Sequence, residues 1–319
     1  MTADRFGPTV AGEYTALRSM RSSVGEEGPA PAATPVAPAP PPGGGRTEPG
    51  RSARHAHDAA SGGRAGGGRH WWPVLPPQHG AWAFLAVPVL AGFAVAGASA
   101  AGWLLLATWL CAYPVGYYGG RALTARVRRR GWTRLARREL GRALPWAVIT
   151  AVLGVPLALT RPWLVAVAAG LALIWAAGLV VGARLGERSI ANDLILVAQA
   201  VAAVPLTVAV VAGPGALGSE LAMGAALTSG LVAAYLTGSV LHVKSLLREA
   251  GDRRFRRLSI AWHVACAVLA AAVSPWWLVG FLPALVRAVA LRPGLRAGVI
   301  GGIEALVAVL MVVASFAAQ

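Results

Sequence analysis

Charge is scarce in this chain of 319 residues. Asp, Glu, Lys and Arg together make up 13% of it, about half the share in a soluble domain. That deficit, with 56% apolar residues, argues against an ordinary soluble domain and for a membrane protein. Acidic residues are the rarer half, 13 against 29 basic ones, for a formal charge of +16. In a soluble chain such an excess points to nucleic acid. Here the basic residues lie between long apolar runs, so topology explains them first and no nucleic-acid partner is expected. Cysteine is nearly missing. Cys111 and Cys266 both sit inside apolar stretches, which excludes a disulfide framework and a spaced Cys metal site. Lysine is missing but for Lys244, and this bias toward Arg reflects a GC-rich coding sequence rather than phosphate chemistry.

Residues 1 to about 70 lack any apolar run and contain the stretch PAPAATPVAPAPPPGGG, so they cannot bury enough surface to offset chain entropy. They read as a disordered cytoplasmic tail without the apolar core of a secretory signal. Its scatter of Arg54, His55, His57, Arg64, Arg69 and His70 reads as a basic segment beside anionic lipid. From residue 71 to 319 apolar runs of spanning length follow one another, and nine helices are expected at about 80–98, 102–120, 143–160, 163–183, 190–211, 219–241, 258–274, 276–291 and 297–317. The fold class is an all-α polytopic membrane bundle. The seventh and eighth helices, separated by Ser274-Pro275, are the shortest.

Counting basic residues orients it. With the N-terminus inside, the tail carries eight, the gaps after helices two, four, six and eight carry twenty, and only Arg161 falls on the far side. Nine spans with the N-terminus in and the C-terminus out follow, in a bacterial inner membrane. Trp103, Trp163, Trp276 and Trp277 at far-side ends, and Trp71, Trp72, Trp132 and Trp146 at near-side ends, fit interfacial belts. The gap after helix two, with nine arginines from Arg121 to Arg142, reads as a topogenic loop in contact with lipid.

Ionisable groups in or beside spans cost several kcal/mol by insertion scales and need a reason to be there. Most gather on the cytoplasmic side: Gln78 and His79 at the start of helix one, Tyr113, Tyr117, Tyr118 and Arg121 at the end of helix two, Glu187, Arg188, Asn192 and Asp193 between helices four and five, His242, Lys244, Arg248, Glu249 and Asp252 after helix six, and His263 in helix seven. Taken singly, His79, Tyr117, Tyr118 and His242 suit interface anchors, and Ser189 or Asn192 suits a cap for helix five. Glu304 lies about 12 Å below Arg296 by helical rise, and Arg287 lies about 7 Å below Arg292, so the two can meet inside the bundle as an interhelical bond or as a relay.

The segment Pro77-Gln78-His79-Gly80-Ala81-Trp82, the loop from Glu187-Arg188-Ser189 to Asn192-Asp193-Leu194, and the run from His242-Val243-Lys244-Ser245 to Arg248-Glu249 together resemble the YwiC-like family of bacterial integral membrane proteins. The resemblance covers about residues 71 to 317 and implies a membrane bundle without implying an activity. In layout alone the chain is also similar to UbiA-type intramembrane prenyltransferases, which bind Mg²⁺-diphosphate through two Asp-rich motifs. The loop after helix two has Glu139 as its one acid, and that after helix six has Glu249 and Asp252 among arginines, so no two-cluster Mg²⁺ site is expected.

The expected site is a cytoplasm-facing cavity lined by His79, Tyr117, Glu187, Arg188, Asn192, Asp193, His242, Lys244 and Arg248, taking an isoprenoid, quinone or lipid-like substrate from the bilayer. As a transferase it would use Glu187 and Asp193 as base or as ligands to Mg²⁺, with Arg and Lys on phosphate. As a small-solute or ion-coupled transporter it would use the Arg287 and Glu304 pair for coupling. The third alternative is a non-catalytic membrane scaffold.

Overall fold

A computed structural model describes residues 74–77 and 80–319, and regular structure among them is entirely helical. The expected tail, the His-Arg scatter, Trp71, Trp72, Gln78 and His79 lie outside the described residues. The helices are α1 (Gly80–Ala96), α2 (Ala100–Arg128), α3 (Arg134–Thr160), α4 (Trp163–Leu185), α5 (Ile190–Val201), α6 (Ala203–Ala212), α7 (Leu221–Leu247), α8 (Arg253–Val273), α9 (Leu278–Ala290) and α10 (Ala297–Ala317), with short 3₁₀ turns at Pro214–Gly218 and Pro275–Trp277. Seven helical segments are long and apolar enough to cross a membrane, α5 and α6 counting as one. Gly80–Ala96 and Pro275–Ala290 are apolar but shorter.

Starts and breaks follow local chemistry. Ser99, Thr133 and Ser189 accept from the backbone N–H of Gly102, Ala136 and Asn192, capping α2, α3 and α5, and Asp252 caps α8 through Arg254 and Phe255. The break between α5 and α6 at Ala202 has its cause in Pro205, which lacks the N–H that the Val201 carbonyl would receive.

The largest core cluster joins α1, α5 and α7 to α10 through residues such as Val87, Val197, Leu236, Phe281 and Met311. Along α9 and α10 the approach is close: a Cβ on Gly280 would lie 2.9 Å from the Met311 Cα. Outside this core, α2 and α3 pair along their length, and α4 buries little beyond Gly182.

Two expectations need correction. The nine-arginine gap is helix, not loop: α2 runs to Arg128 and α3 starts at Arg134, leaving residues 129–133 as the turn. Hydropathy ends where the apolar run ends, but Arg, Leu and Ala keep the helix going and the two arms support each other. Trp277 is not in an interfacial belt either. It is 2% exposed, inside the main core, whereas Trp276 beside it faces outward.

Candidate functional site

The turns after α2, α4 and α7 come to one end of the bundle: Lys244 on α7 donates to the Arg188 carbonyl, and Arg128 on α2 lies 3.9 Å from Glu187. Beside them the start of α8 reaches the end of α9, where Arg256 donates to the carbonyls of Val289 and Leu291. The polar residues at this end do not line one cavity. They divide into three groups.

The first is a pin between the α4–α5 turn and α7. Buried Lys244 places its Nζ 2.7 Å from Asp193 Oδ2 and also donates to the Arg188 carbonyl. Asn192 Nδ2 donates to the Glu187 carbonyl at 3.0 Å, closing the same turn. Arg188 contributes its backbone while its side chain is exposed, and Glu187 and Arg248 are exposed as well. Asp193, the residue offered to a metal or base role, spends its charge on Lys244.

The second lies in the α2–α3 hairpin. Glu139 on α3 is 2% exposed and sits 3.0 Å from Arg142 Nη1 and 3.3 Å from Arg121 Nε. Tyr117 accepts from Arg121 at 3.4 Å and packs edge-on against Tyr118. Trp146 Nε1 donates to the Val74 carbonyl, tying the chain before α1 to the hairpin. Tyr117 therefore belongs to this hairpin, not to the Lys244 pin.

The third group is the deepest. Arg287 on α9, 4% exposed, pairs with Glu304 on α10 and donates from Nη2 to Ser239 Oγ on α7 at 2.9 Å. Its guanidinium lies 5.9 Å from the Tyr235 ring centre. His242, fully buried, places Nε2 3.9 Å from Glu304 Oε1, and its ring meets His263 of α8 edge-to-face at 6.2 Å between centroids. His263 Nδ1 lies 2.7 Å from the Ser259 carbonyl. Among the described residues neither His242 nitrogen has a hydrogen-bond partner, nor has His263 Nε2. By helical rise Glu304 lies about 10 Å in from the start of α10 and His263 about 15 Å in from the start of α8. A pocket of about 30 Å³ reaches this group, lined by Gly80, Phe84, Tyr235, Ser239, Glu304 and Ala308 among others.

Tyr235, Ser239 and His242 are absent as a set from the sequence reading, although their spacing of four and three puts them on one face of α7. In sequence His242 and Lys244 share the polar run that ends helix six. Two residues on a helix are some 200° apart, so one turns to α8 and α10 while the other turns to α5. Among the described residues no three His, Cys, Asp or Glu side chains are gathered to hold a metal.

These features define a polytopic helical membrane protein with an ion pair inside its bundle. Residues 75–208, from the approach to α1 into α6, match the family model described as YwiC-like protein. That stretch holds the hairpin and Asp193, and ends before α7, α9 and α10 supply the Arg287 centre. No curated protein and no solved structure matches the chain. The likeness to UbiA-type enzymes therefore gains no support beyond layout.

Proposed function

We propose that the protein is an ion-coupled transporter of a small solute, with the Arg287–Glu304 pair as its coupling element. Residues 71–319 form the membrane domain in this reading. The Arg-rich end of the bundle faces the cytoplasm of a bacterial cell, and the chain crosses the inner membrane nine times. The observation that carries the reading is the placement of the pair: Arg287 and Glu304 meet among α7, α9 and α10, with a small pocket against the carboxyl group. A charged pair inside a membrane bundle costs more than well-packed apolar residues would, so its presence favours a use beyond holding two helices together. The size of the pocket against Glu304 favours a small substrate. About 30 Å³ holds a water-sized species, whereas an isoprenoid or quinone site takes several hundred.

Purified protein reconstituted into liposomes should dissipate an imposed ion gradient. Glu304→Gln should cut the rate at least about tenfold, as expected for loss of a coupling carboxylate. If the variant melts in detergent in proportion to the activity it loses, the pair is a structural bond and the proposal fails. A wild-type protein that moves no ion under any gradient removes it directly. Stoichiometric co-purification with a partner would then favour the scaffold.

A further inference from the structure

The centre around Glu304 continues beyond the ion pair into two buried imidazoles, and their arrangement speaks to which ion is handled. Hard metal cations need several oxygen ligands at once. The pocket offers one carboxylate already held by a guanidinium, with the hydroxyls of Ser239 and Tyr235. Behind the carboxylate stand groups that exchange protons. His242 Nε2 is the nearer, at 3.9 Å from Glu304 Oε1, and His263 follows at the ring contact. The short contact from His263 Nδ1 to the Ser259 carbonyl fixes the proton of the neutral ring on Nδ1. Its Nε2 is left with a free lone pair, in a residue 3% exposed, with no partner. Gly238 makes the room for it: a Cβ there would lie 3.1 Å from that nitrogen.

We infer that the coupling ion is the proton, relayed from Glu304 to His242 and on to His263. The inference rests on the ion-coupled reading. A proton arriving through the pocket, which has room for about one water, lands on the Glu304 carboxylate and releases it from Arg287. The O–H bond of the neutral acid then breaks as the Nε2–H bond of His242 forms, and the bonding electrons stay on the carboxylate, which Arg287 takes back. His242 gives up its Nδ1 proton in turn and His263 Nε2 receives it; because the Nδ1–H of His263 is held by the Ser259 carbonyl, the proton leaves by the same bonds in reverse, through Glu304 and the pocket. The charged groups beside the two imidazoles are Arg287 from α9, Glu304 from α10 and Arg256 from α8.

Liposomes loaded with a pH-sensitive dye test this, under a pH gradient in one arm and a Na⁺ gradient in the other. Proton flux should appear in the first arm, slow in D₂O, and fall at least about tenfold in His242→Gln and in His263→Asn, the loss expected on removing a positioned proton-transfer group. Flux driven by Na⁺ and indifferent to pH overturns the proton inference and leaves the ion-coupled reading standing. No flux in either arm overturns both. If either His variant does not fold, the D₂O comparison on the wild-type protein decides, and pH-driven flux at the same rate in both solvents contradicts the relay.

Discussion

Two glutamates inside the helical packing, Glu139 buried and Glu304 half-buried, have opposite surroundings. Glu139 in the α2–α3 hairpin has two arginines, one on each side, both partly in water, and Arg142 is stacked on Tyr118. Glu304 has one arginine, almost wholly buried, and two imidazoles with unused nitrogens nearby. A carboxylate paired with arginines that reach solvent is inexpensive and holds two helix arms in register. Charge in the bundle with partners left over is expensive, and in the proposed reading that excess marks the working site. A carboxylate alone is therefore uninformative, and the state of its neighbours is what separates a brace from a relay.

The comparison is open to direct attack. The largest effect should come from Arg287→Ala, which strands Glu304 in the bundle and should lower stability in detergent by about 3–5 kcal/mol. The double change Arg287→Met with Glu304→Leu should regain most of that loss, and unfolding curves of the two variants check it. Next comes Gly280→Ala, whose added methyl meets the Met311 backbone. Forcing α9 from α10 should cost about 1–3 kcal/mol and disturb the ion pair as well, read as a lower melting temperature together with slower flux. Glu139→Gln should cost less, about 1 kcal/mol, because its arginines can turn to water. Its flux per folded molecule should stay at the wild-type value. Smallest is Arg128→Ala, which removes an exposed pair at 3.9 Å from Glu187 and should shift stability by less than about 0.5 kcal/mol.

Much of the bundle was legible in the residues. Apolar runs locate the helices to within a few residues except in the hairpin, where a helix continues through nine arginines that hydropathy reads as its end. Helical rise alone brings Arg287 and Glu304 to within about 5 Å of one level, near enough for two long side chains to meet. What rise cannot give is azimuth, the direction a side chain takes around its helix. His242 and Lys244 are neighbours in sequence and diverge for that reason, and Tyr117, Lys244 and His242 fall into three separate groups rather than one cavity. The α7 face of Tyr235, Ser239 and His242 carries a readable period, but its meaning depends on which helix packs against it, and that is a property of the assembled bundle.

The most direct test sets the two glutamates against each other in one assay. Pure wild-type protein, Glu304→Gln and Glu139→Gln are reconstituted side by side, and proton flux is normalised to the folded fraction recovered from each. Glu304→Gln should be silent while Glu139→Gln runs at the wild-type rate. Equal losses in the two, or a silent Glu139→Gln beside an active Glu304→Gln, would contradict the assignment of the deep pair as the working centre.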